Sequence, residues 1–183
     1  MPLSKSHKQA TRLKIIEAAG TLFRKNGYEG VGVARIMAEA GLTKGGFYAH
    51  FWSKASLFRE VLRSGEGLAA ELRNREAGVS SRSVLREYLS PEKLEKSRTD
   101  CTLAALGGDV ARTDAITRQA YTKVFRNLLS ELEQDPGLKN DRQILLTAVL
   151  AIGGVTLAGA LSDKKLAADM LEVCRAEIDS TLP

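Results

Sequence analysis

Four side chains that can donate hydrogen bonds to an anion lie close together in one short stretch of the chain. Lys44, Tyr48, His50 and Lys54 supply ammonium, phenol and imidazole groups. All of these groups can donate to phosphate oxygens, and a lysine can also reach the O6 and N7 acceptors of guanine. These residue types predict contacts to a nucleic acid.

The elements that must position this stretch begin with a short amphipathic helix. Apolar residues recur at i, i+3, i+4 and i+7, which places one helical face against a core: Val33, Ile36, Met37 and Ala40. Gly41 stands where this helix should end, and Thr43 is a good N-cap for a second helix. A helix, a glycine turn and a second short helix predict a helix-turn-helix unit.

The second helix is expected from Lys44 to about His50, with Phe47 and Phe51 facing inward. In a helix-turn-helix unit this element enters the DNA major groove. Two successive glycines, Gly45 and Gly46, weaken a helix, so a close approach to DNA or to a neighbouring helix must explain them. For Trp52 we predict a core or boundary position.

Helices are also expected on either side of this unit. Spacing of apolar residues predicts one from Ala10 to Asn26, which Gly27 ends. Ser53 should cap another that continues to about Asn74. Lys54 then lies in a first turn, where a cation opposes the helix dipole unless a phosphate is near.

The run GYEGVGVARIMAEAGLTKGGFYAHFWSKASLFREVL resembles the DNA-binding domain of the TetR family of bacterial repressors, over about residues 10–62. Its most specific part is T-K-G-x-F-Y-x-H-F-x-S-K-x-x-L. The resemblance implies an all-α fold with about nine helices in each chain. It also implies a homodimer. Residues 1–52 would be a three-helix DNA-binding head and 53–183 a ligand-binding and dimerisation body, with helix 53–74 as the connector.

The same resemblance implies which residues lie at DNA. The matching positions are Thr43, Lys44, Gly45, Tyr48, His50 and Lys54. The chain departs from the family pattern at Gly32, where a Ser or Thr hydroxyl usually reaches a phosphate. Arg35 is the candidate replacement for that contact, and the expected partner is double-stranded operator DNA.

The end of the chain predicts the dimer interface. Helices are expected over about 141–161 and 164–180, and ILLTAVLAIGGVTLAGAL in the former is apolar on nearly every side. A helix packed against both its own domain and a partner has this composition. A membrane span is the rival interpretation, and charged residues at both edges of the segment argue against it.

A small-molecule pocket is expected in the body, on inward stripes of its helices. The candidate residues are Tyr88, Cys101, Leu103, Tyr121, Phe125 and Leu128. The segment CTLAAL also resembles one branch of the TetR family. Cys101 is open to two interpretations, a thiol that senses oxidants or electrophiles and a small buried apolar residue.

Composition favours a regulator over an enzyme. Residues 1–60 hold ten Lys and Arg against four Asp and Glu, whereas the rest of the chain is nearly neutral within a net charge of +5. The only histidines are His7 and His50, so the body offers no histidine-based catalytic or metal site. We expect no cofactor, no signal peptide and a cytoplasmic location. The alternative functions are an architectural DNA-binding protein without an effector and a thiol-based repressor that uses Cys101.

Overall fold

The computed structural model describes residues 5–65 and 67–182, and this part of the chain is helical without strands. It contains ten α-helices and one 3₁₀ helix, so the predicted all-α fold is confirmed. The α-helices are α1 (Lys5–Asn26), α2 (Val33–Glu39), α3 (Lys54–Arg63), α4 (Leu68–Arg73), α5 (Ser81–Tyr88), α6 (Leu94–Asp100), α7 (Thr102–Val110), α8 (Ala115–Leu132), α9 (Asp141–Ala158) and α10 (Lys164–Thr181). The 3₁₀ helix, Lys44–Ala49, lies between α2 and α3.

The helices group into two compact units. The first comprises the described residues up to Gly65 together with Leu106–Tyr121, and the second comprises the remainder. This division differs from the boundary expected at residue 52, because α3 falls in the first unit. Helices α7 and α8 each contribute residues to both units.

The core of the first unit is formed by α1, α2 and α3. Ile15, Phe23, Ile36 and Phe58 are almost completely buried. The Phe23 and Phe58 rings meet edge to face with centroids 5.3 Å apart, a geometry that aromatic pairs favour.

Glycines end α1 and α2 where the sequence predicted. Gly27 and Gly41 have φ values of 73° and 70°, in the left-handed region that glycine adopts without a steric cost. At the start of α3, Ser53 and Ser56 form a capping box, in which each side chain accepts from the other residue's backbone N–H. The predicted cap at Ser53 is confirmed.

The continuous helix expected over 53–74 is wrong. α3 ends at Arg63 and α4 begins at Leu68. Gly67, the N-cap of α4, has φ 126° and ψ −137°, a conformation open essentially only to glycine. A Cβ at this position would lie 2.7 Å from the Cα of Cys101. The chain bends here because glycine permits both the backbone conformation and the close approach.

In the second unit α9 and α10 pack side by side. The buried stripe of α9 is made mostly of small residues, and a Cβ on Gly154 would meet Cys174 Sγ and Leu89, each at 3.1 Å. Asp179 of α10 accepts from Arg82 Nε of α5 at 2.7 Å. By length and composition alone α9 could cross a membrane, but 44% of it is buried inside the protein, and buried core helices pass the same test.

Candidate nucleic-acid interface

The recognition segment, defined as residues 43–52, is anchored by two buried aromatic rings. Phe47 and Phe51 are almost fully buried, as predicted, and their ring centroids lie 5.7 Å apart. Arg12 of α1 lies over the Phe51 ring at 4.8 Å. This cation–π contact ties the segment to α1.

The helix in this segment is 3₁₀ and not the α-helix expected over residues 44–50. His50 N–H donates to the Phe47 carbonyl at 2.9 Å, the i to i+3 pattern of a 3₁₀ helix. Thr43 is the N-cap, as predicted, but its side chain makes no capping hydrogen bond. Its hydroxyl oxygen therefore accepts no hydrogen bond from the first turn of this helix.

Most of the side chains predicted to contact DNA are exposed to solvent. Thr43, Lys44, Gly45 and Tyr48 are exposed, and so is Arg35 on α2. Tyr48 is 71% exposed, yet its ring packs edge-on against Phe47 with centroids 5.3 Å apart. Buried Phe47 thus orients the Tyr48 ring, while most of the Tyr48 surface stays in water.

Lys54 is held inside the first unit. Its Nζ donates to the Tyr28 carbonyl at 3.0 Å and to the Val31 carbonyl at 3.3 Å. The ammonium also lies 4.0 Å from the Tyr28 ring centroid and 3.8 Å from a Glu29 carboxylate oxygen. Sequence reasoning missed this role because the partners are backbone carbonyls in the connector between α1 and α2.

His50 is partly buried near the end of the segment. Its Nδ1 is buried without a hydrogen-bond partner among the described residues. Burial lowers the pKa of His50, and the positive charges of Lys8 and Arg12 lower it further. The free protein therefore favours the neutral imidazole.

The glycines of this region are explained only in part by packing. A Cβ on Gly46 would meet Met37 Cε at 3.6 Å, an ordinary contact, and one on Gly45 or Gly32 would meet nothing within 4 Å. Packing within the chain therefore gives no reason for glycine at 45 or at 32. Close approach of another molecule is the remaining reason for Gly45.

The predicted core or boundary position of Trp52 is wrong, because its side chain is 94% exposed. The reason is register. Phe47 and Phe51 occupy the inward positions of the segment, so the residue that follows Phe51 turns to solvent before Ser53 caps α3.

The six candidate pocket residues divide between the units. Tyr88, Cys101, Leu103, Phe125 and Leu128 belong to the second unit and Tyr121 to the first. Four of them are buried; Tyr121 and Phe125 are partly exposed. A cavity of about 310 Å³ in the second unit is lined by other residues, among them Leu94, Leu161 and Leu171.

Neither cysteine forms a disulfide, and no cluster of three metal-ligating side chains occurs within residues 5–65 and 67–182. Cys101 is 1% exposed, and a Cβ on Gly67 would lie 2.9 Å from its Sγ. A thiol packed so closely is poorly accessible to a reagent in solvent.

A family model described as "Bacterial regulatory proteins, tetR family" matches residues 15–61. The match contains α2, the recognition segment and nearly all of α3, and thus every residue expected at DNA. Residues 15–61 are therefore a DNA-binding domain of the TetR type.

Over about a third of its length this chain is similar to curated relatives. It is 35% identical over 68 residues to the uncharacterised HTH-type transcriptional regulator YfiR of Bacillus subtilis, which is 36% of this chain and 33% of that protein. It is 43% identical over 61 residues to the HTH-type transcriptional regulator TtgR of Pseudomonas putida, or 33% of this chain and 29% of that protein. The matches span about a third of the length of these curated relatives.

Solved structures extend the likeness in fold to nearly the whole chain. The reduced form of Escherichia coli NemR superposes with a TM-score of 0.73 at 19% identity, covering 93% of this chain and 96% of that one. FadR of Bacillus subtilis, in complex with stearoyl-CoA, gives 0.57 at 16% identity over 93% and 97%. At such identities the likeness concerns the fold alone.

Proposed function

We propose that this chain is a ligand-responsive transcriptional regulator of the TetR family that acts as a homodimeric repressor in the cytoplasm. The observation that carries the proposal concerns the recognition segment. Its Lys44 and Tyr48 side chains are exposed, and the buried Phe47 and Phe51 rings anchor the segment to the core. Side chains held on a rigid element keep the geometry that base and phosphate contacts need.

At DNA the donor side chains of the first unit contact either bases or phosphates. Lys44, at the start of the segment, donates to guanine O6 and N7 in the major groove. Thr43, Tyr48, His50 and Arg35 donate to phosphates, which fixes the register of the protein on the duplex. Gly45 lets the backbone approach. A phosphate contact by Lys54 stays a prediction, since its ammonium must first leave the Tyr28 and Val31 carbonyls.

Two copies of the chain would bind a near-palindromic operator. In such dimers the two recognition elements lie about 34–36 Å apart, one turn of the double helix. The proposed dimer interface is made by α9 and α10, which leave Leu145, Val149, Leu157, Leu166 and Val173 exposed. Exposed apolar side chains gathered on two helices favour association with a like surface.

The effector would bind in the second unit and favour a spacing of the recognition segments that cannot dock. The Tyr88 and Leu128 side chains are buried there and are the proposed pocket candidates, together with Cys101, Leu103 and Phe125. FadR with stearoyl-CoA shows that a protein of this fold holds a small molecule. A few kcal/mol of differential affinity suffices for such a switch.

Selection of duplexes from a randomised library, followed by a mobility shift with the purified protein, tests the DNA-binding part. We expect a near-palindromic consensus bound by a dimer. Failure to retain any duplex at low salt would contradict the proposal. Titration of the selected complex with a library of small molecules tests the effector: release of DNA by one of them supports the switch, whereas indifference to all would favour the architectural alternative.

The thiol alternative has its own test. Because Cys101 is 1% exposed, we expect an electrophile to leave DNA binding unchanged on the time scale at which exposed thiols react. Loss of DNA from the natural chain but not from a Cys101→Ser variant would restore Cys101 as a sensor. Cys174→Ser is the matched control, since it removes the other buried thiol.

A further inference from the structure

The side chain of Trp52 buries almost no surface within its own fold. It is the most exposed large apolar residue of the described chain, at 94%, and the only tryptophan. No aromatic ring or cation contacts it within residues 5–65 and 67–182. Burial of an indole is among the most favourable apolar contributions that one residue can make, and here that contribution is unused.

The backbone around Trp52 is nevertheless well fixed. On one side Phe51 is buried and its N–H donates to the Phe47 carbonyl at 3.0 Å. On the other side Ser53 holds the first turn of α3 through its capping box. The indole is therefore presented to solvent from a rigid position and not from a loose end.

Trp52 is the last residue of the recognition segment and directly precedes Ser53, the N-cap of α3. Lys44, Tyr48 and Trp52 recur at every fourth position and are exposed, while Phe47 and Phe51 between them are buried. The proposed function places Lys44 and Tyr48 at DNA. A large exposed side chain four residues after Tyr48, in the same short segment, lies close to the same duplex.

Charge and chemistry select DNA as the occupant. Residues 1–60 carry ten Lys and Arg against four Asp and Glu, which attracts a polyanion. Exposed residues near Trp52 in sequence, such as Ala49 and Ser53, are small or polar and add little apolar surface for a protein partner. An indole offers an apolar face to deoxyribose and one N–H donor to a phosphate.

We propose that Trp52 packs against the sugar–phosphate backbone at the edge of the groove entered by the recognition segment, with its Nε1–H donating to a phosphate. This contact rests on the proposed function and adds a binding residue to it. Since the contact is mainly apolar and adds no charge, it increases affinity without changing the salt dependence of binding.

Because the chain has no other tryptophan, its fluorescence reports on this one side chain. We expect the emission of the full chain to shift to shorter wavelength on addition of the selected duplex. We also expect protection of the indole from acrylamide, a neutral quencher that DNA does not repel. Emission that changes with protein concentration alone, and not with DNA, would overturn the proposal in favour of a second copy as the occupant.

Variants test the energy of the contact. Trp52→Ala should weaken binding about tenfold, the effect of losing roughly 60 Å² of apolar contact at about 25 cal/mol per Å². Trp52→Phe should retain part of this affinity, because it keeps an apolar ring and loses the N–H. Ile116→Ala is the matched control, since Ile116 is an exposed apolar residue of the same unit, and it should bind as tightly as the natural chain.

The outcomes separate this proposal from the proposed function. A mobility shift with unchanged emission and an unchanged affinity of Trp52→Ala overturns the role of Trp52 and leaves the regulator intact. Failure of the natural chain to bind any duplex overturns both. Equal loss of affinity in Trp52→Ala and Ile116→Ala would show general destabilisation and also overturn the specific contact.

Discussion

Two lysines near the recognition segment differ in what they contact, and a pair of variants should separate their roles. Lys54→Met removes hydrogen bonds to two carbonyls and a contact with the Tyr28 ring, so the free energy of unfolding should fall by about 2 kcal/mol. Lys44→Ala removes an exposed ammonium and should change stability by less than about 0.5 kcal/mol. Urea denaturation measures both.

DNA binding should show the opposite pattern. Lys44→Ala should relax base preference and weaken affinity in the stable protein. Lys54→Arg, which keeps the charge, serves as the control for Lys54→Met. If Lys54→Met were as stable as the natural chain but had a salt slope lower by about 0.9, Lys54 would be a phosphate ligand and not a brace for the connector.

His50 makes the stability of the first unit depend on pH. Its pKa is lowered in the folded chain, first by burial and then by Lys8 and Arg12, so the unfolded chain binds more protons over the window between the two pKa values. Stability is therefore full above the ordinary histidine pKa of about 6.5 and falls as pH drops below it toward the lowered value.

His50→Gln should remove this part of the pH dependence, as measured by urea denaturation at a series of pH values above the range in which carboxylates titrate. His7→Gln, which removes the other histidine of the chain, is the control and should leave the dependence in place. An equal pH profile for the natural chain and His50→Gln would show that His50 does not contribute to it.

At the scale of elements, α2 lacks a side-chain cap that its geometry would accept. Gly32 is its N-cap at φ −90° and ψ 156°, and a Cβ there would meet nothing within 4 Å. Gly32→Thr should stabilise the protein by a few tenths of a kcal/mol. Its hydroxyl should also tighten DNA binding in a mobility shift. Gly32→Ala fits the same space without a hydroxyl, so tighter binding by that variant would contradict the explanation.

The bend between α3 and α4 depends on one glycine. Gly67→Ala meets both an unfavourable φ of 126° and the backbone of Cys101, so it should destabilise the protein by about 3 kcal/mol or more. Gly78→Ala is the matched control: its φ is also positive, at 89°, but its Cβ meets nothing within 4 Å. It should cost only about 1 kcal/mol. Equal losses in thermal unfolding would show that the close approach at Gly67 does not matter.

At the scale of the whole molecule, the proposed dimer depends on the exposed apolar residues of α9 and α10. Leu157 is 60% exposed and Val173 is 68% exposed. Burial of a charge without a partner is unfavourable at such an interface. Leu157→Arg and Val173→Arg should therefore give monomers in analytical ultracentrifugation. Both should bind a single operator half-site more weakly than the dimer binds the full site.

Lys123→Glu, a charge change on the exposed surface of α8, is the control and should remain dimeric. Far-UV circular dichroism shows whether each variant keeps its helices. Dimers that persist in both Leu157→Arg and Val173→Arg would place the interface elsewhere on the molecule.

Much of the architecture could be predicted because its signals are local. Helical spacing of apolar residues predicts α1 and α2, although α1 begins at Lys5 and not at Ala10. The glycines at 27 and 41 mark their C-terminal ends, and Ser53 marks the start of α3. These features act through neighbouring backbone groups, within one helical turn. The inward positions of Phe47 and Phe51 follow from the same periodicity.

Tertiary structure alone decided the features that depend on distant residues. The break before α4 requires Cys101 to approach Gly67, and the placement of Lys54 requires two carbonyls of the α1 to α2 connector. The exposure of Trp52 depends on which aromatic residues fill the core. By itself the sequence determined the helix-turn-helix and the residue types it presents, because both depend on the spacing of apolar, glycine and capping residues that are close in the chain. Packing decided which side chains remain free for a partner, because burial depends on contacts between residues far apart in the chain.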